Sequence, residues 1–225
     1  MRKHNLDVVE LSALRVGELP PLVQAIPELD LTAFHFVSIH APSKFSTAEE
    51  AGVLASLQLL ARQGFCIVAH PDTIFNTREW GVLGDRLLIE NMDKRKPVGR
   101  TARELESFFL ALPEARFCFD IGHARQVDPS MTEAALLLRA FQHRLAEVHM
   151  SEVNTASRHD PLSANAVMAF SPVMTDIPEH VPIILESLID VGQSDVETEI
   201  RRAHEACRPA AGTTHIRHSV VPGAA

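Results

Sequence analysis

Six short apolar runs in this sequence each stop on a residue able to carry charge or bind a metal, and this regularity limits the folds open to the chain. The runs end Val-Ser-Ile-His40, Ile-Val-Ala-His70, Leu-Leu-Ile-Glu90, Cys-Phe-Asp120, Glu-Val-His149 and Ile-Ile-Leu-Glu186. They belong to apolar stretches at 31–41, 65–69, 86–89, 115–119, 145–148 and 181–185, and a further stretch lies at 6–11. Most are hydrophobic at consecutive rather than alternate positions, the pattern of parallel strands covered on both faces. Strands of this kind need helices between them.

The helix starts are written separately, as capping boxes at Ser46/Glu49, Thr101/Glu104, Ser130/Glu133 and Ser194/Glu197, where a hydroxyl and a carboxylate satisfy the free amides of a first turn. Helical runs follow at 49–62, stopped by Gly64, and at 104–112, stopped by Pro113. Alternating strand and helix permits an open doubly wound sheet or a closed barrel. No glycine-rich phosphate loop follows any predicted strand, which removes the usual signature of the open sheet. The expected fold is therefore α/β, a (β/α)8 TIM barrel over residues 1–206, with 207–225 as a Pro-, Gly- and Ala-containing tail. Such a barrel collects all its strand ends on one rim.

On that rim Glu90, Asp120 and Glu186 would repel one another strongly unless a cation compensates them, and His149 completes a four-ligand set. Mixed imidazole and carboxylate donors suit Zn, Mn, Co, Fe or Mg without choosing among them. The expected cofactor is one divalent metal ion. The charge of -8, from 21 Lys plus Arg against 29 Asp plus Glu, disfavours nucleic acid as a partner. Three cysteines with no C-x-x-C and no apolar run of membrane-spanning length lead to the expectation of a cytoplasmic protein with a small-molecule substrate.

Taken in order, Val-Val-Glu10-Leu, Ser-Ile-His40-Ala-Pro, Val-Ala-His70-Pro, Ile-Glu90-Asn91, Asp120-Ile-Gly-His123, Val-His149-Met-Ser, His159 and Leu-Glu186-Ser give the chain its resemblance to the xylose isomerase-like TIM barrel superfamily. That superfamily contains sugar isomerases and epimerases and the endonuclease IV type of apurinic-site nuclease. The resemblance implies a shared metal site at Glu90, Asp120, His149 and Glu186. It further implies that His40, His70, His123 and His159 match the additional ligands of the nuclease branch. The chain departs from that branch at Ser157, where an Asp ligand is expected, at Glu152 in place of the usual Asp, and at Asp160-Pro-Leu-Ser in place of a Gly-rich turn. Relative to the superfamily the first strand and helix are missing, so that Thr213–Val221 in the tail, or a second copy of the chain in a homodimer, is a candidate to cover the open edges.

Read from the residues alone, His40 and His70 suit ligation and hydrogen bonding to a carboxylate equally, and His123 suits orienting a ligand or touching substrate. Phe34, Phe36, Phe117 and Phe119, together with Cys66 and Cys118, read as core. His143 and His204 read as surface. Trp80 suits a loop that closes over a ligand as well as one that covers core. Lys94, Arg95, Lys96 and Arg100 form the one basic cluster, either solvated or placed to capture a substrate anion. The first expectation for function is a metal-dependent isomerase or epimerase of a small sugar or sugar phosphate. In it Glu90 and Glu186 pass a proton between them, with His123 beside them. The alternatives are metal-dependent phosphodiester hydrolysis at abasic DNA, with His40 and His70 holding a second ion across Glu90, and a degenerate barrel without turnover.

Overall fold

The computed structural model describes residues 6–189 and 196–208. Seven parallel strands form one sheet: β1 (Val8–Ser12), β2 (Phe36–His40), β3 (Cys66–Ala69), β4 (Leu87–Glu90), β5 (Arg116–Asp120), β6 (Leu145–Met150) and β9 (Ile183–Leu185), in the spatial order β1-β2-β3-β4-β5-β6-β9. The two-residue strands β7 (Glu152–Val153) and β8 (His159–Asp160) make an antiparallel hairpin over one end. Helices α1 (Leu19–Ala25), α2 (Thr47–Arg62), α3 (Thr77–Trp80), α4 (Ala102–Ala111), α5 (Ile121–Val127), α6 (Thr132–Phe141), α7 (Ala164–Met174) and α8 (Val196–Cys207) lie between and after the strands. The larger apolar cluster includes Ile39, Ile67, Ile89, Phe117, Phe119 and Val148 from the strands, with Leu57, Leu105 and Leu137 from the helices. A smaller cluster of Phe36, Cys66, Val68, Leu88 and Cys118 is built from strand positions of the opposite parity, joined by Ala146 at the register irregularity of β6. Because strand side chains alternate, that second set shares its face with His40, Glu90 and Asp120 and fills the barrel below them.

The edges β1 and β9 come within 8 Å of each other at their Cα atoms, although no ladder pairs them among the described residues. Inserting an eighth strand between them needs about 9.6 Å, two inter-strand spacings. The seam is therefore nearly closed by seven strands; the tail segment 213–221, a candidate to cover the edges, lies outside the described residues. No described helix is long and apolar enough to cross a membrane.

Three local expectations differ from the structure. The stretch 31–41 forms a strand only from Phe36; Phe34 lies in the preceding turn, where Phe34 N donates to Leu31 O and His35 N to Asp7 O. At α2 the Glu49 carboxylate accepts from both Ser46 N and Ser46 Oγ, while Glu49 N donates to the Ser46 carbonyl oxygen. At α4, by contrast, Thr101 caps Glu104 N while the Glu104 carboxylate turns back to Arg100 N. The signal at Ser130/Glu133 is not a box, because α6 starts from Met131 in a left-handed conformation and Glu133 N is satisfied by Asp128 Oδ2. The fourth signal rests on Ser194, outside the described residues. Trp80 is buried and donates Nε1–H to Glu50 Oε1 at 2.8 Å, so it belongs to the core.

Candidate metal centre

The strand ends deliver their side chains to one point. His40 closes β2, His70 follows β3, Glu90 closes β4, Asp120 closes β5, His149 lies in β6 and Glu186 follows β9, while the β7–β8 hairpin brings back His159. A one-residue irregularity opposite Phe117 and Cys118 resets the register of β6, pairing Cys118 with Glu147 and Asp120 with His149. Such a bulge re-aims side chains, and here Glu147 and His149 both reach the axis. Asn91 ties the next layer by pairing with both the N–H and the carbonyl of Asp120, at 2.9 and 2.8 Å. Asp120 caps α5 through Oδ1, which accepts from His123 N at 2.7 Å, and its Oδ2 lies 3.2 Å from His123 Nδ1.

Glu90 sits at the centre and is only 1% exposed. Its Oε2 lies 3.3 Å from His40 Nε2 and 3.2 Å from His70 Nε2, and its Oε1 lies 3.3 Å from His123 Nδ1 and 3.5 Å from His149 Nδ1. Glu186 lies 3.3 Å from His149 Nδ1 through Oε1 and 3.4 Å from His159 Nδ1 through Oε2. Ligand atoms about 2.0–2.2 Å from a tetrahedral ion stand roughly 3.3–3.6 Å apart, which is the spacing found here. Among the described residues, the buried side-chain atoms without a hydrogen-bond partner are Glu10 Oε2, Glu90 Oε2, Asp120 Oδ2, Glu147 Oε2, Glu186 Oε2 and both ring nitrogens of His149. All lie in this cluster. Buried carboxylate oxygens left unpaired are costly, and a divalent cation is the partner their chemistry fits.

Five overlapping donor groups occur among the described residues, three of them on the rim: His40, His70 and Glu90; Glu90, Asp120, His149 and Glu186; and Asp120, His123 and His159; the other two are Glu10, His40 and Glu186, and Cys118, Glu147 and His149. The second has all four ligand atoms within 4.8 Å of one another, so Asp120 and Glu186 are close enough to share an ion. The third has three donors. At the position where an Asp would complete it, Ser157 Oγ donates to Asp93 Oδ1 at 2.8 Å and accepts from Gln126. Every site residue expected from the sequence, His40, His70, Glu90, Asp120, His123, His149, His159 and Glu186, is thus in one cluster.

The electrostatics of the metal-free cluster follow the geometry. Burial alone pulls the histidines down, but Glu10, Glu90 and Glu186 outweigh it at His40, whose pKa stands at about 9. Against the same burial, Asp120, Glu90 and Glu186 carry His123 to about 10. His70 is lowered by burial, with His40 and Lys96 adding to the effect. Burial also pushes Asp120 well up, whereas the four imidazoles around Glu90 overcome its burial and hold it well down.

Sequence reasoning did not assign Glu10, Glu147 or Asp93. Glu10 Oε2 is 3.4 Å from His149 Nε2, Glu147 Oε1 is 3.5 Å from the same atom, and Asp93 holds Arg95 N and Ser157. The signal available for Glu147 is an acid inside an apolar strand, two residues before a rim histidine and hence on the same face. The cluster opens into a cavity of 800 Å³ lined also by Lys44, Asp72, Arg95 and Lys96. Lys96 Nζ is held by Asp72 at 3.0 Å and lies 3.2 Å from His70 Nδ1. Lys94 and Arg100 do not line this cavity, and Arg100 pairs with Glu104.

No protein-family model matches the chain, and no curated protein matches it in sequence. Among solved structures, endonuclease IV from Thermus thermophilus aligns over 88% of this chain and 96% of its own, with 15% identity and a TM-score of 0.43. The apo form of a 3-keto-D-glucoside 4-epimerase from E. coli aligns over 89% of this chain and 98% of its own, with 8% identity and a TM-score of 0.42. At these values the likeness says nothing of activity.

Proposed function

We propose that the protein is a divalent-metal-dependent hydrolase of a phosphate ester of a small hydroxylated compound, with two ions held on either side of Glu90. The observation that carries this reading is the division of one buried carboxylate: Oε2 faces His40 and His70, and Oε1 faces His149. Divalent ions held by His40, His70 and Glu90 and by Glu90, Asp120, His149 and Glu186 would polarise a phosphoryl oxygen and supply a water nucleophile at neutral pH.

The residues divide the remaining work. Glu90, at the floor of the cavity and only 1% exposed, is enclosed by four imidazoles and would hold the two centres together. Glu186, 18% exposed at its side chain and lining the cavity, is kept ionised against its burial by His149 and is placed to accept a proton beside the substrate. Arg95 and Lys96 line the mouth and favour an anionic group. The charge of -8 and the separation of the basic cluster favour a small phosphate ester over a duplex.

A second reading, the isomerase or epimerase, is favoured by the same Glu90, Asp120, His149 and Glu186 quartet and by the open edge of Glu186. It asks Glu90 to pass a proton to substrate, which its 1% exposure opposes. The two readings separate in one assay of the zinc- or manganese-loaded protein. Bis(p-nitrophenyl) phosphate and a panel of sugar phosphates are scored for ester cleavage, and the sugars for uptake of solvent deuterium at carbon. Cleavage without deuterium uptake is expected; deuterium uptake without cleavage would replace the hydrolase with the isomerase.

A further inference from the structure

Beneath the rim the barrel holds two more carboxylates. Glu147 is fully buried, in contact with none of the solvent, and its Oε1 accepts from Ser38 Oγ at 2.8 Å. Glu10 reaches the same place from β1. Between them lies His149 Nε2, 3.4 Å from Glu10 Oε2 and 3.5 Å from Glu147 Oε1, while Nδ1 of the same ring faces Glu90 and Glu186. The neighbouring layer is apolar, with Val68, Leu88, Cys118 and Ala146, so an acid at 147 is an expensive choice for packing alone. Its value lies in the ring above it. A neutral imidazole carries one proton, and a proton on Nδ1 would block the lone pair that faces the quartet. Carboxylates only accept, so two of them below the ring draw the proton to Nε2.

We propose that Glu147, braced by Ser38 and joined by Glu10, is a positioning residue that fixes His149 as the Nε2–H tautomer and turns its Nδ1 lone pair toward Glu90, Asp120 and Glu186. The inference rests on the metal-centre reading given above. The contacts of 3.4–3.5 Å are longer than a charge-assisted hydrogen bond, and contacts of this kind tighten once the site is filled.

The test is a zinc titration of the metal-free protein against a chromophoric chelator, with the thermal midpoint of the metal-free form measured in parallel. Glu147→Gln keeps the shape of the side chain but offers His149 an amide donor. It is expected to weaken zinc binding at the Glu186 centre roughly 10- to 100-fold without lowering that midpoint comparably. Ser38→Ala, which leaves the carboxylate in place, should give a smaller loss in the same direction and serves if the Gln variant does not fold. In the zinc-loaded wild type, nitrogen NMR should show His149 protonated at Nε2. Wild-type affinity in both variants would overturn the proposal. So would the loss of one whole equivalent of zinc with the rest bound normally, because that result would make Glu147 and Cys118 ligands of a separate ion. A wild type that binds no zinc would instead remove the metal-centre reading and this inference with it.

Discussion

A single carboxylate at the centre of the site touches four imidazoles. Glu90 is reached by His40 and His70 on one oxygen and by His123 and His149 on the other, so it is structural to the centre, while Glu186 keeps an edge on the cavity. Glu186→Gln should therefore lower activity by about 10²- to 10⁴-fold, the range of a lost acid–base group, and release one ion per chain. The thermal midpoint of the metal-free form should move by only a few degrees. Elemental analysis of the variant beside wild type checks this, and full metal content with full activity would contradict it. The rim ligands were legible in the sequence because a parallel strand announces its end, and its end sets where the side chain goes. Glu10 and Glu147 were not, since an acid within a strand looks like any polar strand position until the register is known. The register of β6 depends on an irregularity opposite Phe117 and Cys118 that leaves no mark in composition.

Helix α5 shows how an element transmits position to the site. Its first turn begins at Asp120, contains Gly122 and returns His123 to the cluster. A Cβ on Gly122 would stand 2.5 Å from the Ser151 carbonyl oxygen and 2.8 Å from Val153 Cγ2, with Asp120 Oδ1 at 3.2 Å. Because the first contact is with backbone, Gly122→Ala is expected to cost about 1–3 kcal/mol and to weaken metal binding by displacing Asp120 and His123. Thermal unfolding and a metal titration measure the two effects, and a variant unchanged in both would show that the hairpin yields freely. Helix α4 gives a pH test away from the site. The Arg100 guanidinium holds the Glu104 carboxyl below its usual value, a modest burial opposing it. A carboxyl depressed in the folded state stabilises above its unfolded pKa and loses that contribution as pH falls through its folded one. Glu104→Gln should accordingly be less stable than wild type at neutral pH, and the gap should close in acid; a gap that widened on acidification would contradict the assignment. Thr101 as cap was readable from the Ser/Thr-x-x-Glu spacing, but the same spacing misled at Ser130, where Asp128 does the capping and a left-handed Met131 sets the start. Motif spacing describes a helix start only when the backbone before it is extended.

For the whole molecule, the parallel order of seven strands and the gathering of their ends were both readable from consecutive hydrophobic runs and capped helices. The treatment of the seam was not, because the approach of β1 to β9 is set by the curvature of the entire sheet. That curvature brings Glu10 within 3.4 Å of His149 and places Glu10, His40 and Glu186 from both sides of the seam in one group. The barrel thereby concentrates Glu10, Glu90, Asp120, Glu147 and Glu186 about a small volume, where the raised imidazoles of His40 and His123 offset part of the charge and a divalent cation would balance more. If two divalent ions share Glu90 as proposed, the metal content per chain of the wild type and of His70→Ala after loading and desalting shows it most directly. The expected result is two ions in the wild type and one in His70→Ala, retained by Glu90, Asp120, His149 and Glu186; a wild type holding a single ion, with His70→Ala holding the same, would contradict the shared centre.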